Sequence, residues 1–323
     1  MGHQVSIVTA GPFNNEKIIE NKYGMPIHCI SSEPAGWKAD YLLINRPDVI
    51  KKAIRIVEQS APDLIQAHNI HSYFSFGILR ALKMALPKVP LVVTVHDHSS
   101  LCRGALRCKG DKLANMQIDS DFLLPSLITC WICQKHTFNP FKRYSLIRIL
   151  NEWCDVVIFV SKALQKFYLA NGLKKRSYVI YTGTAINKAD ISDDDKKLFR
   201  QKYDLRERKL IICGGRMKPL KGFHKVIEAM PEIINRTHNR ILLIIYGDEN
   251  AYAMLLRDRA KELGVSENVK VIGWLNRKEL DILMSIAMVG VVPSIGADAL
   301  PRSVYEYMIS GLPTLATRVG GAK

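Results

Sequence analysis

The sequence predicts an α/β protein built from two doubly wound parallel sheets. Short β-branched runs alternate with amphipathic helical stretches from one end of the chain to the other. The runs are almost uninterrupted in apolar residues, as in parallel strands that are covered by helices on both faces. The 323 residues exceed what one core usually holds, and the polar stretch 184–197 separates two series of strands. We therefore predict domains spanning residues 1–186 and 187–323.

The first series precedes the polar stretch. Its predicted strands are Val5–Thr9, Ile27–Ser31, Leu64–Ala67, Leu91–Val95, Val156–Val160 and Tyr178–Tyr181. Its predicted helices, which repeat apolar residues at helical spacing, are Val49–Gln59, Ser75–Leu86 and Ala163–Asn171.

The second series follows the same alternation. Its predicted strands are Leu210–Cys213, Ile241–Tyr246, Val269–Ile272, Val289–Val292 and Thr314–Ala316. Its predicted helices are Gly222–Asn235, Asn250–Leu263 and Asn276–Ser285. Ligands in such sheets bind beyond the carboxyl ends of the strands, so we expect the active site in the cleft where two such edges face each other.

The charge of the chain points to an anionic partner. Lys and Arg number 46 against 30 Asp and Glu, which gives a formal net charge of +16. Basic residues are spread along the chain without a nucleic-acid-binding motif, which favours an anionic membrane surface and an anionic substrate over nucleic acid. No apolar run approaches the ~20 residues that cross a bilayer, and no signal peptide precedes the first strand. We expect a cytoplasmic protein with reduced cysteines.

The segment GGRMKPLKGF (Gly214–Phe223) follows a predicted strand directly. Gly214 and Gly215 allow a tight turn, and Arg216 and Lys221 lie just before a helix. Two cations and the free amides at a helix start suit a diphosphate. A basic loop with solvated charges is an equally good interpretation of these residues alone.

The segment PSIGADALPRSVYEYM (Pro293–Met308) also follows a strand and starts a helix. Asp298 lies in its loop, and Glu306 lies near the first turn of the helix, where the dipole favours a carboxylate. Each acid could accept two hydrogen bonds from neighbouring hydroxyls of a sugar or ribose. A capping acid with an unrelated loop acid is the alternative.

Histidines follow two strands of the first series. His96 and His98 end the segment LVVTVHDH, and His68 and His71 lie in QAHNIH. Histidine can contact sugar hydroxyls or stabilise charge near neutral pH. A metal site and simple packing are the alternatives.

Taken in order, these motifs resemble retaining glycosyltransferases of family 4, which use nucleotide sugars and have the GT-B fold of two Rossmann-like domains. The resemblance rests on the following segments: G-H-x-V-x-x-V-T (2–9), V-T-V-H-D (93–97), V-S-K-A (160–163), V-I-Y-x-G (179–183), G-G-R-x4-K-G (214–222), V-x-x-I-G-x-L (269–275), D-A-L-P-R-S-V-Y-E-Y-M (298–308) and G-L-P-T-L-A-T-R-V-G-G (311–321).

The resemblance implies a role for each candidate residue. Arg216 and Lys221 would hold the donor diphosphate, and Glu306 the ribose. Asp298 would address the transferred sugar from the second domain, and His96 from the first. The other residues implied in donor binding are Gly215, Leu300, Pro301, Arg302 and Ser303.

The implied reaction moves a sugar from a UDP- or GDP-type donor to a glycan or lipid-linked acceptor, with retention of configuration and no required cofactor. Two alternatives stay open, a nucleotide-sugar epimerase and a sugar-nucleotide-binding remnant without catalysis. The sequence does not identify the sugar, the base or the acceptor.

The chain departs from the family pattern at several points. Asp298 stands where Glu is usual, Thr182 replaces an Asn, and Gly247-Asp248-Glu249 lacks a second glycine. The chain also starts at the family's second strand and stops before its last one, a difference of roughly 30 residues at the start. The resemblance therefore predicts a chain that lacks both ends, binds donor and transfers sugar poorly.

Two further features lie after His96. A zinc site is one interpretation of Cys102, Cys108, Cys130 and Cys133. The C-x5-C spacing is outside the usual range and favours unpaired thiols.

The helical stretch Phe141–Leu150 combines Lys142, Arg143 and Arg148 with Leu146, Ile147 and Ile149. This stretch predicts either peripheral attachment to the inner face of a membrane or ordinary packing on the sheet.

Overall fold

The computed structural model describes residues 2–21, 23–33, 45–70, 73–98, 101–102, 127–134, 139–183, 190–238, 240–296 and 298–322, with backbone alone at 129, 133 and 134. The described residues form two compact units, the first ending at Tyr181 and the second beginning at Thr182. The predicted domain boundary between residues 186 and 187 lies outside the described residues and stays a prediction.

The first unit alternates strands and helices as predicted. Its strands are β1 (Ile7–Gly11), β2 (Lys17–Glu20), β3 (Pro26–Ser31), β4 (Ile65–His68), β5 (Leu91–Val95), β6 (Val156–Phe159) and β7 (Ser177–Val179). Its helices are α1 (Pro47–Ser60), α2 (Gly77–Ala85), α3 (Leu127–Gln134), α4 (Lys142–Trp153) and α5 (Lys162–Ala170).

Strands of the first unit pair in two groups. The order β4-β5-β6-β7 is parallel throughout, whereas β2 runs antiparallel to β3 in the order β1-β3-β2. Strand β2 was not predicted. Because it is antiparallel to β3, the prediction of parallel strands does not cover the whole first unit. Its four residues, KIIE, are all exposed and carry no apolar alternation, so no pattern marks them as a strand.

Helix α3 occupies a segment for which no secondary structure was predicted, whereas α4 corresponds to the predicted helical stretch 141–150. Helix α4 is anchored by Leu146 and Leu150, which are buried, and it packs against α2. Helix α3 has no polar face in its sequence, LITCWICQ, so the periodicity expected of a surface helix is missing. None of the helices among the described residues is long and apolar enough to cross a bilayer.

The second unit is a doubly wound sheet. Its strands are β8 (Lys209–Gly215), β9 (Ile241–Gly247), β10 (Val269–Ile272), β11 (Ala287–Val292) and β12 (Thr314–Ala316). Its helices are α6 (Asp193–Lys202), α7 (Phe223–Thr237), α8 (Ala251–Glu262), α9 (Arg277–Ile286) and α10 (Arg302–Ile309), with short 3-10 turns at Pro219–Lys221, Ser266–Asn268 and Gly320–Ala322.

The five strands of this sheet are parallel, in the order β10-β9-β8-β11-β12. Every residue of β9 is buried. Alternate residues of β9 belong to two separate apolar clusters, with Leu243 and Ile245 in the cluster of α7 and α8, and Leu242 and Ile244 in the cluster of α6, α9 and α10. Helices therefore cover both faces, as the apolar strands predicted.

Helix α6 corrects the interpretation of residues 184–197 as a polar connector. The helix begins inside that stretch, because Ser192 and Asp195 form a reciprocal capping box and three aspartates occupy the first turn. One buried residue, Phe199, faces the core from this helix, so little apolar periodicity was available for prediction.

Candidate functional site

The strand order of the second unit creates a switch point between β8 and β11. The chain winds outward from β8 through β9 to β10, then returns to β11 on the other side of β8. Strands β8 and β11 are parallel, with Ile212 opposite Gly290, so their following loops leave the same edge side by side. Such a point is where open α/β sheets bind ligands.

The loop after β8 is closely packed on the loop after β11. Gly222 has a φ of 72°, and a Cβ there would collide with the carbonyl oxygen of Pro293. The amides of Ile295 and Gly296 both donate to the carbonyl of Leu220, at 3.0 and 3.2 Å. A left-handed backbone and this close approach require glycine at position 222. The two motifs that the sequence placed apart therefore form one backbone unit.

The side chains of Lys221 and Asp298 form an ion pair across these two loops. Both are about three-quarters buried, with 25% and 23% of the side chain exposed. The carbonyl of Asp298 also accepts a hydrogen bond from the amide of Gly321 at 2.8 Å, which ties in a third segment. The structure thus pairs two residues with different implied roles. The resemblance assigned Lys221 to the diphosphate of the donor and Asp298 to its sugar.

Glu306 lies in the second turn of α10, with 14% of its side chain exposed. Its carboxylate lies 3.3 Å from the guanidinium of Arg302, a side chain that is 74% exposed. The neighbouring Tyr307 points into the core, where its hydroxyl lies 2.9 Å from that of Tyr246. The ring of Tyr307 fills the space above Gly290, where a Cβ could not fit. Tyr307 therefore fixes the helix that carries Glu306.

The start of α10 offers backbone donors. Pro301 is the N-cap residue and is buried, and no side chain among the described residues caps the first turn, which begins with Arg302 and Ser303. Leu300 is half-buried beside them. Amides at a helix start are a favourable site for an anion.

Residues after β9 hold the loop that follows β8 in place. The sequence motifs did not identify them as candidate site residues. Asp248 accepts a hydrogen bond from the amide of Met217 at 3.2 Å, and Asn250 donates to the carbonyl of Met217 at 3.0 Å. Gly215 packs against Gly247, leaving no room for a Cβ at 247, and Arg216 is exposed between these contacts. The position of Asp248 directly after β9 was the available signal.

In the first unit, His96 follows β5 directly and His68 ends β4. The Nδ1 atom of His68 lies 2.9 Å from Nε2 of His96. Partial burial, and then the nearby His96, hold the pKa of His68 below its ordinary value. His98 is instead buried against the ring of Phe167, which agrees with the packing alternative. His71 lies outside the described residues.

The cysteines of the proposed zinc site are only partly described. Cys102 and Cys130 are buried and are not in disulfides, and the guanidinium of Arg143 donates to the sulfur of Cys130. Cys108 and the side chain of Cys133 lie outside the described residues. Within the part of the chain that is described, no three His, Cys, Asp or Glu residues are arranged to hold a metal. The zinc alternative stays untested.

Solved structures share the fold of this chain. A TM-score of 0.65 relates it to Anabaena Alr3699/HepE in complex with UDP, at 21% identity, over 93% of this chain and 70% of that one. A TM-score of 0.69 relates it to sucrose-phosphate synthase from Thermosynechococcus elongatus, at 19% identity, over 100% of this chain and 73% of that one. The predicted GT-B fold is confirmed.

Sequence relatives point the same way. The chain is 30% identical over 190 residues to the GDP-mannose-dependent alpha-(1-6)-phosphatidylinositol monomannoside mannosyltransferase of Mycolicibacterium smegmatis, covering 57% of this chain and 49% of the relative. It is 33% identical over 175 residues to the uncharacterized glycosyltransferase MJ1607 of Methanocaldococcus jannaschii, covering 53% and 44%. The chain spans about half the length of these relatives.

Two family models divide the chain between them. Glycosyl transferases group 1 matches residues 195–323. Glycosyltransferase Family 4 matches residues 1–188, which is more than half of the chain. This protein therefore belongs to Glycosyltransferase Family 4.

Proposed function

We propose that this protein transfers a sugar from a nucleoside diphosphate donor to a glycan or lipid-linked acceptor, with retention of anomeric configuration. The observation that carries the proposal is the Lys221–Asp298 pair beside the open first turn of α10, at the switch point of the sheet. A cation, an acid and helix amides within one backbone unit suit a sugar diphosphate. Relatives named for a GDP-mannose donor and a fold neighbour in complex with UDP-glucose support a UDP- or GDP-type donor.

In the proposed donor site, each end of the ligand has its own residues. Lys221 and Arg216 bind the diphosphate together with the amides of Leu300, Arg302 and Ser303. Glu306 accepts hydrogen bonds from the ribose hydroxyls, since its carboxylate keeps a small exposed fraction and its buried neighbour Tyr307 fixes the helix. Gly215 lets the backbone approach the phosphates. These contacts hold the donor by its leaving group. In this proposal the binding needs no metal or other cofactor.

Bond cleavage places growing negative charge on the leaving diphosphate. Lys221, Arg216 and the α10 amides stabilise that charge, and the Lys221 side chain and the amides are held in place before the reaction starts. Asp298 orients the hydroxyls of the sugar and shares the ammonium group of Lys221, so diphosphate and sugar are positioned by one contact. His96 of the first unit stays the residue that the resemblance assigns to the sugar. The acceptor oxygen then bonds to the anomeric carbon on the face from which the diphosphate leaves, its proton passes to the departing diphosphate oxygen, and the configuration is retained.

Donor turnover tests this proposal. The protein is incubated with UDP-glucose or GDP-mannose, and release of nucleoside diphosphate and the anomeric form of the sugar are followed by NMR. Slow release with retention of the anomeric form is expected, since poor transfer is predicted from the sequence. Conversion of the sugar without release would indicate an epimerase, and binding without either change would indicate a protein that only binds; both results contradict the proposal.

We further propose that the protein works in the cytoplasm, attached to an anionic membrane surface at the inner face. The residues predicted for attachment need correction, because Lys142, Leu146 and Ile147 are buried in the unit. The exposed apolar side chains lie elsewhere, on one side of α3 and at the start of α4. We call this set the α3–α4 surface: Leu127, Ile128, Trp131, Ile132, Phe141 and Tyr144.

The charge around the α3–α4 surface suits acidic lipids. Residues 127–176 contain nine Lys and Arg against two acids, Glu152 and Asp155. Arg148 is exposed one turn after Tyr144, and the amides of Lys174 and Lys175 both bond Asn151 near the end of α4. Apolar side chains bordered by cations are typical of surfaces that lie in the interface of a bilayer.

Serine at both Trp131 and Ile132 is expected to lower partitioning onto phosphatidylglycerol vesicles at least tenfold, about 1.4 kcal/mol, because two exposed apolar side chains no longer enter the interface. Co-sedimentation measures the effect, and added salt should weaken binding of the native protein. Serine at Met254 and Leu255, which are equally exposed on α8, is the matched control. Equal binding to neutral and anionic vesicles would exclude the electrostatic contribution.

A further inference from the structure

Arg46 of the first unit is a buried cation without an acidic partner among the described residues. It lies directly before α1, and its exposed fraction is 8%. Both hydrogen bonds of its guanidinium come from Nη1, which donates to the carbonyls of Glu33 at 2.8 Å and Tyr73 at 3.3 Å. The N–H groups of Nε and Nη2 therefore have no acceptor in the part of the chain that the structure describes.

Such an arrangement is unusual for a charged side chain. Burial of a charge costs free energy unless an opposite charge and hydrogen bonds compensate it. In the second unit, Asp281 is buried to nearly the same extent, and the guanidinium of Arg277 binds both of its oxygens, at 3.1 and 2.8 Å. Glu33, and Asp48 in the first turn of α1, are exposed acids that do not pair with Arg46. Arg46 is therefore suited to receive an anion from outside the chain.

Two helix starts add positive potential near Arg46. Helix α1 begins at Pro47 and α2 at Gly77, and no described side chain caps either start. The hydroxyl of Ser32, the residue after β3, donates to the carbonyl of Tyr73 at 3.1 Å, the same oxygen that Arg46 binds. The end of β3 and the segment before α2 therefore meet at the guanidinium. Because the N-terminal ends of helices favour anions, a cation placed between them raises the attraction for one further.

The segment before α2 also holds a strained residue with an unpaired hydroxyl. Ser75 has a φ of 86°, in the region that favours glycine, and it is fully buried. Its hydroxyl has no hydrogen-bond partner among the described residues. Ser75 follows Tyr73 by two residues, so the α-carbons of these residues are at most about 7 Å apart. Backbone strain and an unpaired polar group at one place are typical of a ligand site, where the ligand compensates them.

We propose that Arg46 and Ser75 form a phosphate site in the first unit, and that this site takes the phosphate group of a sugar-phosphate or lipid-phosphate acceptor. Nε and Nη2 of the guanidinium match two oxygens of a phosphate, and they supply the charge. The hydroxyl of Ser75 and the amides at the start of α2 supply neutral donors. The site needs residues of the first unit alone. Its assignment to the acceptor rests on the proposed function, whereas the binding of phosphate does not.

Isothermal titration with two phosphate probes tests the site. Glucose 6-phosphate stands for a sugar-phosphate acceptor, dihexanoyl phosphatidylglycerol in monomeric form for a lipid phosphate, and glucose is the neutral control. The native protein is expected to bind one or both phosphate probes and not glucose, and the tighter probe identifies the class of acceptor. Arg46→Gln should weaken that binding about tenfold or more, whereas Arg55→Gln, at an exposed arginine of α1, should not change it.

Ser75→Gly keeps the test decisive if Arg46→Gln fails to fold. Glycine adopts a φ of 86° without strain and removes the unpaired hydroxyl, so the midpoint of thermal unfolding should rise while the affinity for the probe falls about threefold or more. A rise in stability with unchanged affinity would overturn the role of Ser75 in the site.

The remaining controls separate this site from the donor site. Binding that is lost in Lys221→Ala and kept in Arg46→Gln would place the probe at the proposed donor site and overturn the proposal. Release of nucleoside diphosphate by a native protein that binds neither phosphate probe would overturn the phosphate site alone. Probe binding that depends on Arg46, in a protein that releases no nucleoside diphosphate from a donor, would support the phosphate site and contradict the proposed function.

Discussion

Alanine at Lys221 is expected to weaken UDP or GDP binding at least tenfold, about 1.4 kcal/mol, in the donor site proposed above. The ammonium group pairs with Asp298, so its loss removes a charge-assisted contact and leaves an acid facing the diphosphate. Glutamine at Glu306 is expected to have an effect of the same size through the ribose. Isothermal titration measures both.

Two variants make this prediction specific. Lys225→Ala removes an exposed lysine that pairs with Glu228 on α7, and it should leave the dissociation constant unchanged. Asp298→Asn should keep or strengthen binding of the nucleoside diphosphate, because a carboxylate near the phosphates becomes neutral, while donor cleavage is lost. Equal affinities of the native, Lys221→Ala and Glu306→Gln proteins would refute the donor-site assignment.

Alanine at Tyr307 is expected to lower the free energy of unfolding of the second unit by about 3–5 kcal/mol. The side chain is fully buried, fills the space above Gly290 and bonds Tyr246, so truncation leaves a cavity and an unpaired hydroxyl. Because Glu306 is the preceding residue on α10, nucleoside diphosphate binding should fall as well. Urea denaturation followed by circular dichroism measures the change in stability.

The neighbouring residue supplies the control. Met308 is 64% exposed on the same helix, and Met308→Ala should change stability by less than about 0.5 kcal/mol. Tyr307→Phe keeps the ring and loses the hydroxyl, so it should cost about 1–3 kcal/mol, mainly by leaving the hydroxyl of Tyr246 unpaired. A loss in Tyr307→Ala no greater than that in Met308→Ala would show that α10 is fixed by other contacts.

The fold was predictable where apolar residues repeat. Strands such as β9 and helices such as α7 bury one or both faces, so their patterns follow directly from the sheet they build. The elements that were missed lack that signal. Strand β2 is fully exposed, and α6 buries a single residue. The sequence of α3 has no polar face at helical spacing.

The residues of the candidate site were predictable from the sequence, whereas the contacts between them were not. Arg216, Lys221, Asp298 and Glu306 follow strand ends or start helices, and those positions can be located from the sequence. The pairing of Lys221 with Asp298 joins residues 77 positions apart. The pairing depends on the close approach of Gly222 to Pro293, which sets how the two loops lie against each other. No local sequence pattern predicts that arrangement.

One buried thiol makes local opening of the second unit measurable. Cys213 lies in β8 two residues before the end of the strand, and it is the single cysteine of residues 182–323. Complete burial raises the pKa of its thiol, so it should resist alkylation until the sheet around β8 opens. The rate at which a maleimide labels Cys213 therefore reports the opening of the second unit, and a nucleotide bound at the proposed donor site should slow that labelling in proportion to its affinity.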